Sequence, residues 1–215
     1  MNKSNSNMLY NEEQLHELLY QALETEIGGI EVYTEALKCA VNADLKKEWQ
    51  DYLDETKTHR SILEDIFDEL GLDAEKETPG RRVIRHLGES LVRAMEMARH
   101  AGNGHAAELV ATECVVLAET KDHLNWTLLA EIARQCEGDA ADLLYNACEE
   151  VEDQEDHHLY HTRGFCRELW LNSLGLPAVI PPPEERQDVD TEIGAARAAG
   201  QREQMVERAG NGRTA

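Results

Sequence analysis

The chain reads as an all-α protein, and three observations predict it. Between Asn11 and Gly175 the sequence is rich in Leu, Ala, Glu and His, with apolar residues returning every three or four positions. No stretch shows the alternation of a half-buried strand, and Pro79 is the only proline before Pro177. The long periodic segments are separated by residues suited to helix ends: Asn42, Gly71, Gly102 to Gly104, Gly138 and Gly175.

Residues 1–10 are polar and read as a frayed end. A first helix is expected over about 11–41, with the stripe Leu15, Leu19, Ala22, Glu26, Gly29/Ile30, Tyr33, Leu37, Ala40, which Glu26 interrupts. Asn42 can end it and Asp44 can cap the next. The second helix, about 44–70, carries Leu45, Trp49, Tyr52, Thr56, His59, Leu63, Ile66 and Leu70; its stripe breaks at Thr56 and His59, with Glu55 one position aside. After a linker at 72–80, residues 81–101 form a further helix. At 1.5 Å per residue it spans ~30 Å, enough to carry the chain back along a bundle as a crossover between two hairpins. Residues 105–136 are apolar almost all round and should be the most buried helix, broken by Glu119 and His123. The last long helix follows Gly138-Asp139 and runs to about Ser173 on Leu144, Ala147, Val151, Glu155, His158, Phe165 and Leu169. Residues 1–175 are thus one helical bundle. Residues 176–215 are a proline-led C-terminal arm, partly disordered, with a weak helix near 191–208, lying on the bundle or on a neighbouring subunit.

With 43 acidic and 21 basic residues the formal charge is −22. Nucleic acid and anionic membrane surfaces are polyanions and are therefore excluded as partners. No apolar run approaches the ~20 residues that cross a bilayer, and the N-terminus has no apolar leader. The five cysteines contain no CxxC pair, so they read as reduced core thiols of a cytoplasmic protein. A homo-oligomer, a dimer in the simplest case, is expected.

The chemistry concentrates where the stripes break. Glu55 and His59 are four residues apart, as are Glu119 and His123, and Glu155-Asp156-His157-His158 places Glu and His three apart; each spacing puts both groups on one helix face. Helices joined by a short turn are antiparallel, so residues equally far from the turn share a level. Glu26 then faces His59, and Glu119 faces Glu155 and His158. His123 falls level with Glu152, and the two either extend the site or orient a ligand. Bare carboxylates in a bundle core cost several kcal/mol each or take up protons. Divalent metal removes that conflict, and a carboxylate–imidazole set suits Fe or Mn. Tyr33, seven residues after Glu26, and Trp126, seven after Glu119, either pack the core or take part in redox chemistry beside a metal.

These residues resemble the ferritin-like superfamily of dinuclear carboxylate proteins: rubrerythrins, bacterioferritins and manganese catalases. Glu26 with Tyr33 looks like the family's first helix, Glu119 like its third, and Glu155-Asp156-His157-His158 like its Glu-x-x-His motif. The resemblance covers about residues 11–173. It implies a ferritin-like four-helix bundle with a crossover helix, and two Fe or Mn ions, Fe favoured. The ligands would come from Glu26, Glu55, His59, Glu119, Glu155 and His158, extended by His123 and Glu152, with Tyr33 in a catalytic role. One position departs: Thr56 stands where the family has Glu, so either Glu55 reaches in as a bridging ligand or that metal has fewer ligands. Without CxxC pairs there is no rubredoxin-type iron centre. The function implied is reaction with dioxygen or hydrogen peroxide. Alternatives are an iron-binding or storage protein, and a non-catalytic acidic bundle docking a partner.

Overall fold

The structure, a computed structural model, describes residues 10–135 and 137–211. The expected frayed start over residues 1–9 and Cys136 lie outside these. Seven helices follow one another: α1 (Glu12–Cys39), α2 (Ala43–Leu70), α3 (Pro79–His100), α4 (Gly104–Gln135), α5 (Asp139–Ser173), α6 (Pro183–Arg186) and α7 (Glu192–Asn211). The described residues are all-α, and no described helix is long and apolar enough to cross a membrane.

Side-chain oxygens settle most of the helix starts. Asn11 Oδ1 accepts from Gln14 N–H to start α1. Asn42 caps α2 by accepting from Leu45 N–H, so the cap falls on Asn42 and not on Asp44. Gly71 closes α2 at φ 65°, a left-handed conformation that glycine adopts without a Cβ clash. Thr78 caps α3, which begins two residues before the expected boundary because Pro79 suits the first helical turn.

α1 packs on α2 and α4, α4 on α5, and α5 on α2, which closes a ring of four long helices. α3 lies outside the ring against α1 and α4. Ion pairs pin it there: Glu24 receives Arg81 and Arg85, each at 2.6 Å, and Glu35 receives Arg99 at 2.8 Å. Gly28 and Gly88 permit the close approach, since a Cβ on Gly88 would sit 3.6 Å from the Gly28 backbone.

Each ring helix buries residues at alternating steps of four and three. α1 uses Leu15, Leu19, Ala22, Glu26, Gly29, Tyr33 and Ala36; α2 uses Leu45, Trp49, Tyr52, Thr56, His59, Leu63 and Ile66. α4 uses Val115, Glu119, Asp122, Trp126, Leu129 and Ala133; α5 uses Leu144, Cys148, Val151, Glu155, His158, Thr162, Phe165 and Leu169. A mean period of 3.5 keeps one seam facing the axis along the whole length. The apolar members form two clusters. One gathers Leu19, Leu23, Phe67, Trp126, Leu129 and Val151; the other gathers Tyr33, Trp49, Tyr52, Val115, Phe165 and Leu169. The polar members fall between them.

α4 is less uniformly buried than its composition suggests. Leu117, Leu124 and Leu128 are 61%, 49% and 42% exposed, because only its 4–3 seam faces the ring. The C-terminal arm carries α6 and α7 and docks on α5, where Leu159, Tyr160, Val189 and Ala198 form a small cluster. Its anchors are ionic. Arg167 chelates Glu184 at 2.7 and 2.8 Å, and the fully buried Glu168 accepts from Val179 N–H at 2.8 Å and Arg202 at 2.7 Å. Arg167 thus meets two buried acids, Glu184 and Glu168.

Candidate metal centre

Six residues from all four ring helices meet in the layer between the two apolar clusters. They are Glu26 from α1, His59 from α2, Glu119 and Asp122 from α4, and Glu155 and His158 from α5; none is more than 4% exposed. His59 Nδ1 lies 3.0 Å from Glu155 Oε1 and 3.8 Å from Glu26 Oε1. His158 Nδ1 lies 3.5 Å from Glu119 Oε2 and 3.7 Å from Glu155 Oε1. Ligand atoms of His59, Glu155 and His158 fall within 4.8 Å of one another, and so do those of Glu26, Asp122 and Glu155. Glu155 is common to both groups.

The inward atoms are close without being hydrogen bonded. Glu26 Oε2, His59 Nδ1, Glu119 Oε2, Asp122 Oδ1, both oxygens of Glu155 and His158 Nδ1 are buried and have no hydrogen-bond partner. The outward atoms are satisfied. Trp126 Nε1–H donates to Glu26 Oε1 at 2.9 Å. His59 Nε2 meets Gln154 Oε1 at 2.7 Å, and His158 Nε2 meets Glu55 Oε2 at 2.8 Å. Both outer partners are oxygens, so each Nε2 carries the hydrogen and each Nδ1 is directed inward. This arrangement orients an imidazole as a ligand.

Four carboxyls in one dry layer repel one another. Burial, then Asp122 and Glu155, raise Glu26 well above the carboxylate range. Burial, then Glu155 and Glu119, do the same to Asp122. Burial and Glu119 raise Glu155 to about 8. Burial and the neighbouring His158 lower His59. Burial also disfavours the charged form of His158, but the carboxylates of Glu119 and Glu55 outweigh it and raise that residue to about 10. The polypeptide by itself therefore holds this layer with protons; cations held by the same atoms would displace them.

The residues singled out in the sequence divide into four groups. Glu26, His59, Glu119, Glu155 and His158 line the cage. Glu55 stands at its edge, 34% exposed at the side chain, and accepts from the outer nitrogen of His158. His123 and Glu152 point elsewhere. His123 Nε2 pairs with Asp156 at 2.7 Å, one helical turn beyond Glu152, and Glu152 reaches Arg134 at 3.4 Å from an exposed position. The expected level pairing of His123 with Glu152 is thus replaced by His123 with Asp156. Tyr33 is fully buried, its ring 6.1 Å from that of His158; burial and the neighbouring Glu119 push its phenol well above the usual value. Trp126 belongs to the apolar cluster and serves the cage through its indole N–H.

Asp122 is the member that the Glu–His spacing does not find. The 4–3 series Val115, Glu119, Asp122, Trp126 does find it. It adds a fourth buried carboxyl to the layer, on α4. On α2 the buried Thr56 packs against Gly29, where an added Cβ would lie 3.2 Å from Thr56 Cγ2, so α1 and α2 approach closely there. No family model, no characterised protein and no solved structure matches this chain.

Proposed function

We propose that the chain is a ferritin-like, four-helix-bundle metalloprotein that holds two divalent ions, Fe favoured over Mn, and reacts with dioxygen or hydrogen peroxide. One observation carries the reading: seven buried donor atoms converge from four helices with no hydrogen-bond partner, while the far side of each imidazole is satisfied. A structural polar network would pair such atoms, because each unmet one costs ~1–3 kcal/mol, more for a charged group. Four carboxylates also balance the charge of two divalent ions. Glu26 and Asp122 would serve one ion, His59 and His158 the other, with Glu155 shared and Glu119 beside His158. A carboxylate–imidazole set without thiolate fits iron or manganese.

Two ions held this way supply paired redox equivalents and a common binding place for an oxygen species. The protein's own part is to exclude water with the apolar clusters above and below, to hold the ligands in register through Trp126, Gln154 and Glu55, and to keep the Tyr33 phenol protonated at the wall beside Glu119. The test is metal content of the purified chain after anaerobic loading with Fe(II) or Mn(II), beside Glu119→Gln and His158→Asn. About two ions per wild-type chain, reduced in both variants, with peroxide or dioxygen consumption by the loaded protein, is expected. A folded wild type that retains no ion would overturn the reading.

A further inference from the structure

A cavity of about 210 Å³ opens between α4 and α5 under the start of α7, and Glu155 lines it. Trp126 and Cys148 are also in its lining. The more exposed part is acidic: Glu152, Asp156 and Glu192, with Asp156 paired to His123. No lysine or arginine is among the lining residues. By contrast, the apolar cavity lined by Gly28, Ile84, Leu87 and Leu91 touches none of the six cage residues.

Resting on the reading that the cage binds metal, we propose that this cavity is the entry route for divalent cations, and that Glu152, Asp156 and Glu192 are the residues that draw them in. Glu155 connects the two places. It is 2% exposed, both its oxygens lack partners, and it belongs at once to the cavity wall and to the cage. An ion passing the rim therefore meets a ligand of the buried site directly. The size agrees: at ~30 Å³ per water the cavity holds about seven, the volume of a hydrated ion, and it falls below the ~300 Å³ where pockets for larger organic ligands begin. The sign agrees as well. Three rim carboxylates face only Arg134, paired to Glu152, and His123, paired to Asp156, so negative charge is in excess; a cleft with such an excess concentrates its counter-ion and raises the on-rate, whereas neutral dioxygen or peroxide gains nothing from it. The arm takes part, because Glu192 is the first residue of α7.

The test is the rate of Mn2+ uptake by the metal-free full chain, read as loss of free ion against a fluorescent chelator. Glu152→Lys with Glu192→Lys is compared with Asp65→Lys with Glu89→Lys, which makes the same change of net charge on exposed residues outside the cavity. The rim pair is expected to load roughly tenfold or more slowly than the control pair, with the gap closing at high salt and the same final number of ions. Thr127→Trp, which narrows the cavity without altering charge, is expected to slow loading at all salt concentrations. Equal rates in the rim and control pairs would overturn the route, and so would a lower final ion count in the rim pair, which would make those residues ligands. A wild type that binds neither Mn2+ nor, loaded anaerobically, Fe2+ would overturn the metal reading together with the route.

Discussion

At the scale of single residues, the informative contrast is between the two nitrogens of each buried imidazole. His158 offers Nε2 to Glu55 and Nδ1 to the cage. Glu55 is then a partner that orients His158, and the sequence alone left open whether it was a ligand. The difference is measurable. Glu55→Gln is expected to weaken metal binding by roughly 10–100-fold while leaving the number of ions unchanged, the usual cost of losing an outer partner. A chelator-competition titration separates this from loss of one ion, the result that would make Glu55 a ligand. Protons give a second check. With Glu155 raised to about 8 and His158 to about 10, both groups are largely protonated in the metal-free protein at pH 7. Loading must expel those protons, so calorimetry in buffers of different ionisation enthalpy is expected to show more than one proton released per chain. No buffer dependence would mean that the layer is already ionised.

At the scale of elements, the four ring helices were legible because a 3.5-residue seam runs through each of them, and the polar breaks at Glu26, His59, Glu119, Glu155 and His158 sit on that seam. What escaped had physical reasons. Asp122 was hidden because the Glu119–His123 spacing of four drew attention off the seam, whose next step is three. The exposed leucines of α4 look like core residues by composition, and only the position of neighbouring helices shows otherwise. The arm has too little apolar surface to signal order, and its docking is carried by charged groups no periodicity reveals. His161 is the instructive case. Its Nδ1 meets Glu185 Oε2 at 2.7 Å and its Nε2 meets Val189 O at 3.0 Å. Both partners are acceptors, so the full clamp needs the imidazolium, which Glu185 and Glu48 favour against the cost of burial; the net effect raises the pKa. A raised folded pKa gives stability that is complete below the unfolded value of 6.5 and fades as pH rises through the folded one. Glu168 sets the opposite limit. Val179 N–H, Arg202 and Arg167 overcome the cost of its burial and lower its pKa, so its contribution is present above 4.5 and lost as pH falls through the folded value. Proteolysis of the arm is therefore expected to be slowest between these limits. His161→Gln should flatten the alkaline side alone, with a loss of ~1.5–3 kcal/mol for a charged hydrogen bond. An arm cut equally fast at every pH would contradict the clamp.

At the scale of the whole molecule, one layer joins every helix of the ring. Its buried donor groups come from α1, α2, α4 and α5, so bound ions would tie all four helices together. Metal-free and loaded protein should then respond to pH in opposite ways. In the metal-free chain Glu26, Asp122 and Glu155 have raised values, and the folded state binds more protons than the unfolded state from about 4.5 upward, to about 8 for Glu155. His158 acts in the same direction between 6.5 and about 10. Stability falls with rising pH wherever the folded state holds the extra protons, so the Tm of the metal-free chain is expected to carry a downward contribution across this window. The loaded chain gains instead. Ligand present at a thousand times its Kd adds ~4 kcal/mol per site, and at ~2–4 °C per kcal/mol for a domain of this size each ion raises Tm by roughly 10 °C. The increment grows with pH, because fewer protons compete for the same atoms. Thermal melts of both forms from pH 5 to pH 9, repeated with Glu119→Gln, measure the divergence. Curves that stay parallel, or a metal-induced shift that survives undiminished in Glu119→Gln, would place the bound ions somewhere other than this layer.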